Sequence, residues 1–552
     1  MSSAARGWRH GVLIGLFAVA ATGLLVRMVY LHVTQQAFLK RQGDARSLRL
    51  ETLPAYRGII FDRHGEPLAV STPVLSAWID PSRTRLSSAE IIRLARITNQ
   101  NANELAARLS KARGREFIYI KRRIAPEQAA RIEALGIAGV SFDREYRRYY
   151  PTGETSAHVV GITNVDDRGQ EGAELAYDGE LAGSDGKKRV LKDRRGNPIR
   201  DVESITAPRF GRDLNLSLDL RLQFFAYREL KSAIEHNGAS SGSVVLLDAR
   251  SGEILALANQ PSFNPNDPSH LVNEAMRNRA ITDVYEPGST VKPLTVLAAL
   301  ESGQFAADSM IDTSPGYLRV GRKLIEDPLN RGVISLSQVL AKSSQVGVAK
   351  IALALEDDAV YRAFTRAGFG DIAGSGLPGE VSGALPGELK NPIVRTTLAY
   401  GYGLAVTPLQ LASSYLVLAT GGVRLPVSIV RRDDAPRGDR VFDATLVRDV
   451  VHMMEGVALA GGTAPKAKVP GYRIAGKTGT ARKVGAAGYD DARHVAFFAG
   501  LAPVDEPRLV MVVVVNEPRG LLTGGGDVAA PVFSRVMARA LRVLNVEPEA
   551  AT

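Results

Sequence analysis

The sequence contains no cysteine among its 552 residues. Disulfide bonds, thiol catalysis, iron–sulfur clusters and cysteine-ligated zinc are therefore excluded. Aromatic residues make up only 6% of the chain, so the clustered basic and aromatic residues of a nucleic-acid-binding surface are scarce although the net charge is +11. The eight histidines show no H-E-x-x-H or similar spacing, which favours solvated or core positions over metal ligation.

Long hydrophobic runs are also scarce, and the one that occurs lies near the N-terminus. Gly11–Val33 contains a single formal charge, Arg27, near its end, and is long enough to cross about 30 Å of hydrocarbon. Arg6 and Arg9 precede the run, so the positive-inside rule places the N-terminus in the cytoplasm and the rest of the chain outside. We predict an uncleaved signal-anchor. A cleaved signal peptide ending near Ala18–Ala20 is the alternative, which the length of the run disfavours.

The remaining chain divides by composition into an elongated module and a large domain. Short strand and helix signals with many arginines predict an α+β module first, and strand pairs at both ends of the following region predict one antiparallel sheet packed on an inserted helical region. The predicted segments are a cytoplasmic tail (1–10), the transmembrane anchor (11–33), a juxtamembrane linker (34–55), the α+β module (56–215), the large domain (216–545) and a C-terminal tail (546–552).

Two hairpins support this single sheet. Ser243–Leu247 and Glu253–Ala258 are apolar runs joined by a turn signal, and His494–Ala502 and Leu509–Val515 form a similar pair near the C-terminus. The class predicted from these patterns is α+β.

The most informative stretch contains Ser289 and Lys292. Pro287-Gly288 marks a turn and an apolar helical run follows from Leu294, so Ser289 lies near a helix N-terminus with Lys292 one turn away on the same face. Burial there lowers the pKa of a lysine, and a serine with a lysine base is a recognised nucleophile arrangement. Alone the S-x-x-K match is weak, because a capping serine followed by a surface lysine is far commoner.

Two further motifs strengthen this interpretation. Lys477-Thr478-Gly479-Thr480 follows a predicted strand over Tyr472–Gly476, and a lysine, two hydroxyls and a glycine suit the binding of a carboxylate. Ser343-Ser344-Gln345 lies between the two motifs, ahead of an apolar helical run. Ordered S-x-x-K, S-x-N-like and K-T-G motifs are the signature of penicillin-binding proteins and class A β-lactamases.

With these motifs, the sequence resembles the class B penicillin-binding proteins over nearly its whole length, and among them the septal, cell-division transpeptidases most. Further matches to the family are Arg57–Gly65, Gly169–Glu174, Lys192–Gly196, Arg277–Ala280, Gly401–Gly403, Val406–Gln410 and Ala529–Phe533. The resemblance implies a transmembrane helix, an elongated α+β pedestal (a dimerisation-like module) and a transpeptidase domain with an antiparallel sheet, flanking helices and an inserted helical subdomain.

The resemblance also implies a chemistry. Ser289 is the nucleophile that attacks the carbonyl between the two terminal D-alanines of a peptidoglycan stem peptide, Lys292 is the general base, and Ser343 relays the proton to the leaving D-alanine. The backbone N–H groups of Ser289 and Thr480 form the oxyanion hole. The substrate-binding residues are Gln345, Lys477, Thr478, Gly479 and Thr480. β-Lactams acylate the same serine, and no metal or organic cofactor is required.

One position departs from the family pattern. The second motif normally ends in asparagine, and this sequence has Gln345, whose amide is one methylene further from the backbone. A misplacement of about 1 Å can cost on the order of 10²-fold in rate. The expected consequences are altered β-lactam susceptibility, weaker activity, or compensation by a local backbone shift.

The family implies partners and a location as well. The expected partners are stem peptides ending in D-Ala-D-Ala, β-lactams, a SEDS-type glycan polymerase and other divisome proteins, with no nucleic acid. The expected location is the inner membrane at the division septum, with the catalytic domain in the periplasm. An elongation-type class B transpeptidase and a catalytically weak divisome scaffold remain as alternatives; the anchor and pedestal disfavour a β-lactamase, and the absence of a glycosyltransferase signature disfavours a bifunctional class A enzyme.

Overall fold

The structure is a computed structural model that describes residues 4–192, 198–267, 269, 271–485 and 488–549. Its strands are β1 (Leu48–Leu53), β2 (Ile60–Phe61), β3 (Pro67–Ile79), β4 (Ile118–Ile124), β5 (Val140–Tyr149), β6 (Gly186–Lys192), β7 (Pro198–Thr206), β8 (Leu214–Asn215), β9 (Ser241–Asp248), β10 (Ile254–Gln260), β11 (Met310–Asp312), β12 (Tyr317–Val320), β13 (Lys323–Glu326), β14 (Val333–Ser335), β15 (Val423–Arg424), β16 (Asp439–Arg440), β17 (Ala475–Gly485), β18 (Gly488–Ala502) and β19 (Leu509–Asn516).

The α-helices complete the predicted α+β class, which is confirmed. They are α1 (Ala4–Val29), α2 (Gln36–Ser47), α3 (Ser88–Ile97), α4 (Ala102–Lys111), α5 (Pro126–Glu133), α6 (Ala157–Val160), α7 (Gly172–Ala176), α8 (Asp178–Leu181), α9 (Leu220–His236), α10 (Asn273–Met276), α11 (Arg279–Thr282), α12 (Lys292–Glu301), α13 (Leu336–Ala341), α14 (Gln345–Ala354), α15 (Ala359–Arg366), α16 (Pro392–Ala399), α17 (Pro408–Ala419), α18 (Ala444–Glu455), α19 (Gly525–Val528) and α20 (Ala530–Val543).

The N-terminal apolar run forms one long helix. Helix α1 continues into a π-helical turn over Tyr30–Thr34, and the stretch Trp8–Thr34 spans 27 residues, none of them buried within the chain. By length and composition this stretch is able to cross a membrane. It contains the segment that was predicted as the anchor.

The segment predicted as a linker carries regular structure. Helix α2 and strand β1 lie within residues 34–55, and β1 pairs antiparallel with β6, with Leu48 opposite Leu191. Leu48 and Leu50 alternate with charged residues in β1, but so short a strand gains its stability from a partner far away in the sequence, so composition alone does not reveal it.

The chain folds into two compact units. The first contains Met1–Tyr56, Pro73–Tyr146 and Gly183–Gly211. It holds the antiparallel sheet β1-β6-β7 and the pairing of β4 with the second half of β3. Helices α3 to α5 pack there; Ser87 and Glu90 close a capping box at the start of α3. The buried side chains of this unit's core are Ala77, Ile79, Leu94, Ala95, Leu105, Ile120, Ile124, Ala129 and Ile132.

The second unit contains Arg57–Thr72, Arg147–Ala182 and Arg212–Thr552. Its central sheet has the antiparallel order β10-β9-β19-β18-β17, and the helices between β10 and β17 are the predicted insertion. Both predicted hairpins, β9 with β10 and β18 with β19, are confirmed. The predicted strand near residue 214 is shorter than its alternating pattern, because β8 ends at Asn215 and only a single bridge joins Leu216 to Val430.

Alternation along the central strands separates two cores. Val245 and Val512 face a cluster that includes helices α12 and α17, whereas Val244 and Val513 face helices α9 and α20. Because successive side chains of a strand point to opposite faces, continuous apolar strands of this kind require helices on both faces. The sheet is thereby buried except at its edges, and one of those edges is β17.

A buried ion-pair network joins two of the segments that resemble the family. Arg57 Nε lies 2.5 Å from Glu174 Oε2, and Arg148 Nε lies 2.6 Å from Glu174 Oε1. Arg57 Nη1 also lies 2.6 Å from Asp178 Oδ1. The fully buried Glu174 carboxylate thus pairs with two guanidinium groups, and Asp178 supplies the second negative charge, so removal of either carboxylate would leave a buried cation uncompensated. Another of these segments, Lys192–Gly196, lies outside the described residues from residue 193 onward.

Candidate active site

Ser289 lies in a tight turn that the surrounding backbone holds in place. The turn is the 3-10 helix Gly288–Val291, which leads directly into α12. The Gly288 N–H donates to Gly401 O at 3.0 Å, and the Tyr415 hydroxyl donates to Thr290 O at 2.8 Å. Ser289 itself is half-buried, so its hydroxyl is held on a rigid support while remaining accessible.

Strand β17 brings the third motif against this turn. Lys477, Thr478, Gly479 and Thr480 lie on the strand itself, whereas the sequence predicted the strand to precede them. A Cβ on Gly479 would lie 2.8 Å from both Pro287 O and Thr290 Cγ2, so only glycine allows this approach. Thr480 is exposed at the outer edge of the sheet, where its Oγ1 accepts from the Gly525 N–H at 3.1 Å.

Ser343 is the point at which the three motifs meet. The ammonium Nζ of Lys292 donates to Ser343 O at 2.6 Å and lies 3.2 Å from Ser343 Oγ. Lys477 Nζ donates to the same Ser343 Oγ at 2.9 Å. The structure therefore brings together Lys292, Ser343 and Lys477, one residue from each predicted motif, although they are far apart in the chain.

Burial controls the charge of both lysines. Both side chains are fully buried, and burial lowers the pKa of Lys292 from 10.5 to about 7, opposed by the negative charge of Asp327 and assisted by the positive charge of Arg331. Burial and the neighbouring Lys292 charge together lower the pKa of Lys477 well below its ordinary value. Because the pKa of Lys292 is depressed, its neutral, proton-accepting form becomes populated near neutral pH.

Lys292 and Ser289 are neighbours along the helix but are not hydrogen-bonded in the described structure, since Lys292 Nζ bonds Ser343 instead. Catalytic hydrogen bonds are often long before substrate binds. The arrangement leaves Ser343 Oγ able to pass a proton between Lys292 and a group bound beside it.

Gln345 lines a groove that Thr480 of the third motif also lines. The groove has a volume of about 570 Å³ and is lined by Lys323, Leu324, Ile325, Glu326, Gln345, Ile393, Thr397, Tyr400, Tyr402, Gly403, Thr480, Arg482, Tyr489 and His494. The backbone N–H of Gln345 donates to Asp327 Oδ1 at 2.5 Å. Gln345 therefore lines the groove from a backbone that the Asp327 carboxylate holds.

Two carboxylates near the site escaped the sequence reasoning. Asp327 follows β13 and accepts hydrogen bonds from the second motif, and nothing in its local sequence signals that role. Glu286 directly precedes the turn and accepts from the Gly403 N–H at 2.7 Å and the Tyr489 hydroxyl at 3.0 Å. In the sequence, only the position of Glu286 directly before Pro287-Gly288 indicated that this residue lies near the site. Burial raises the pKa of Glu286.

The described residues contain no cluster of three or more histidine, aspartate or glutamate side chains arranged to hold a metal ion.

Comparison with known families identifies the architecture. The penicillin binding protein transpeptidase domain matches residues 242–538, and the penicillin-binding protein dimerisation domain matches residues 52–216. The peptidoglycan D,D-transpeptidase FtsI of Escherichia coli K12 is 44% identical over 551 residues, which cover 99% of this chain and 93% of the relative. The chain belongs to the class B penicillin-binding proteins. The resemblance predicted from the motifs is confirmed.

Other class B penicillin-binding proteins are similarly close. The probable peptidoglycan D,D-transpeptidase PbpC of Pseudomonas aeruginosa is 40% identical over 550 residues, covering 100% of this chain and 97% of the relative. A crystal structure of penicillin binding protein 3 from Mycobacterium tuberculosis in complex with aztreonam has a TM-score of 0.70 and 27% identity, and the match covers 90% of this chain and 98% of that one.

The contact between β17 and the serine turn yields a prediction for this penicillin-binding protein. Gly479→Ala places a methyl group against Pro287 O, so strand and turn must separate. We expect labelling by a fluorescent penicillin to slow on the order of 10²-fold, because a shift of about 1 Å misaligns the reacting groups. The measurement is the time course of labelling of the full-length protein in detergent.

Gly485→Ala is the matched control. It lies on the same strand, and its added Cβ would approach only the flexible end of Arg493 at 3.4 Å. It should label at the wild-type rate. Equal rates for both variants and the wild type would contradict the requirement for close approach at Gly479.

Proposed function

We propose that this chain cross-links peptidoglycan stem peptides at the division septum through an acyl-enzyme on Ser289. The chain is a serine-type peptidoglycan D,D-transpeptidase of the β-lactam-binding family. The single observation that carries the assignment of residues is the convergence of Lys292 and Lys477 on Ser343 beside the Ser289 turn.

In the proposed acylation, Ser289 Oγ attacks the carbonyl carbon of the penultimate D-alanine. Lys292, neutral because it is buried, takes the hydroxyl proton as the C–O bond forms. The negative charge that develops on the carbonyl oxygen is stabilised by the backbone N–H groups of Ser289 and Thr480. The peptide C–N bond then breaks, and Ser343 passes a proton from Lys292 to the nitrogen of the leaving D-alanine.

In the second half-reaction an amine of a neighbouring stem peptide attacks the ester carbon. The amine loses a proton through the same route, the C–N cross-link forms, and the Ser289 C–O bond breaks with return of a proton to Oγ. The two half-reactions exchange one peptide bond for another, so no cofactor or net energy source is required.

Substrate recognition is proposed to use the edge of β17. Lys477 provides positive charge beneath the site, and the hydroxyls of Thr478 and Thr480 with the open backbone at Gly479 hold the terminal carboxylate. An edge strand presents unpaired N–H and C=O groups that an extended peptide can pair with. The amide of Gln345 contacts the donor peptide from the opposite wall of the groove.

The proposed setting is the inner membrane, with the N-terminus in the cytoplasm and the catalytic domain in the periplasm. The exposed apolar helix over Trp8–Thr34 and the basic residues Arg6 and Arg9 at its N-terminal end support this topology. We propose a SEDS-type glycan polymerase and other divisome proteins as partners, and the division rather than the elongation role, by analogy with the family. The intact Ser289, Lys292 and Lys477 speak against a catalytically silent scaffold.

The nucleophile assignment predicts a covalent adduct. Full-length protein in detergent, incubated with benzylpenicillin, should gain the mass of one penicilloyl group by intact-mass spectrometry, and Ser289→Ala should gain none. Ser302→Ala is the control, because it removes an exposed serine hydroxyl just after the C-terminal end of the same helix α12 and should still be acylated. Absence of an adduct on folded wild-type protein would support the scaffold, and rapid release of free penicilloate would indicate a β-lactamase.

The role of Gln345 predicts a graded effect of its amide. Gln345→Ala should slow acylation by benzylpenicillin about tenfold through loss of a hydrogen bond to the ligand, whereas Gln345→Asn should keep most of the rate. Gln304→Ala, which removes an exposed amide elsewhere in the insertion, should have no effect. Wild-type acylation by Gln345→Ala would show that this side chain does not contact the ligand.

A further inference from the structure

A carboxylate outside the three motifs contacts the second of them. Asp327 lies directly after β13, and its backbone N–H donates to Gly316 O at 2.9 Å, which anchors the loop. Its side chain accepts from the hydroxyl of Ser344 and from the N–H groups of Gln345, at 2.5 Å, and Val346, at 3.3 Å. One carboxylate thus satisfies donors at the start of α14 that the helix itself leaves unpaired.

From this geometry we propose that Asp327 is a positioning residue for acylation: its carboxylate fixes the Ser343–Gln345 segment against Lys292 and places a negative charge near that lysine. The inference deepens the proposed function and rests on it, because it assumes that Lys292 acts as the base.

The backbone of Ser343 has an unusual conformation. Its φ angle of +58° lies in the left-handed region, which residues other than glycine rarely adopt. This conformation is unfavourable for a serine and persists only where contacts with neighbouring residues enforce it. It directs the Ser343 carbonyl at Lys292 Nζ, 2.6 Å away, and places Oγ between the two lysines. Asp327 binds the next three residues, so it holds the strained residue from its C-terminal side.

Charged groups of both signs act on Lys292. The positive charge is that of Arg331, which lowers the pKa of Lys292; Lys477 shares Ser343 Oγ with Lys292, and its own pKa is lowered well below the ordinary value. The opposing negative charge is that of Asp327, which raises the pKa of Lys292. Burial lowers the pKa of Lys292 to about 7, and the negative charge of Asp327 opposes a further fall.

The test is the pH dependence of acylation of full-length protein in detergent by benzylpenicillin. In the wild type the rate should rise with pH around a midpoint near 7, as Lys292 loses its proton. Asp327→Asn removes the charge, so the midpoint should move about half a unit to one unit lower. Loss of the charged acceptor should also lower the plateau rate about tenfold or more.

Three further variants separate charge from geometry. Ser344→Ala keeps the charge and loses one hydrogen bond, so its plateau should fall while its midpoint stays at the wild-type value. Asp327→Glu keeps the charge at a changed distance, so it should retain the wild-type midpoint and have a lower plateau rate. This variant tests the role of Asp327 if Asp327→Asn does not fold. Asp308→Asn removes an exposed carboxylate of the same insertion and should change neither quantity.

The outcomes distinguish this inference from the proposed function. Suppose that acylation depends on Ser289 and that the wild-type midpoint lies near 7. If Asp327→Asn then has the wild-type midpoint, or Asp327→Glu has a shifted one, the role of Asp327 alone is overturned. If the pH profile of wild-type acylation lacks a midpoint near 7, or if Lys292→Arg has the same profile, Lys292 is not the base. The role proposed for Asp327 is then wrong as well.

Discussion

The structure depends on two lysine side chains buried around one serine hydroxyl. Lys292 and Lys477 are both fully buried and both approach Ser343. Taking an ammonium ion out of water is expensive unless it is paired, and two adjacent cations without a bridging anion cannot both remain charged at little cost. The consequence is a lysine that is neutral near physiological pH, which is the property a general base requires.

The fold serves to hold this unfavourable arrangement. The central sheet is apolar on both faces, so helices α12 and α17 pack firmly on one side and keep the Ser289 turn in place. Gly479 lets the edge strand β17 approach that turn closely enough to place Lys477 beside Ser343. Asp327, which lies in a separate loop, holds the segment that contains Ser343 through a hydrogen bond from the Gln345 N–H. The stability of the core therefore offsets the unfavourable proximity of Lys292 and Lys477 and the backbone strain at Ser343.

Much of this was predictable from the sequence, for identifiable reasons. The motifs at Ser289, Ser343 and Lys477 combine residue types whose chemistry is recognisable, and the period-two apolar strands predict the sheet and both hairpins. Asp327 was missed because its function arises from contact with α14 in the folded structure. Strand β1 was missed because this short strand is stabilised by pairing with β6, which is far away in the sequence. The fixed backbone at Gln345 likewise depends on Asp327 and is invisible in the sequence.

The most direct test of the central claim is the pKa of Lys292 itself. Full-length protein labelled with ¹³C at the lysine Cε carbon can be titrated by NMR, with Lys292→Arg identifying the resonance. The account predicts a titration near 7, far below the ordinary value of 10.5. A Lys292 resonance that titrates near 10.5 would contradict the claim that burial beside Lys477 creates the base.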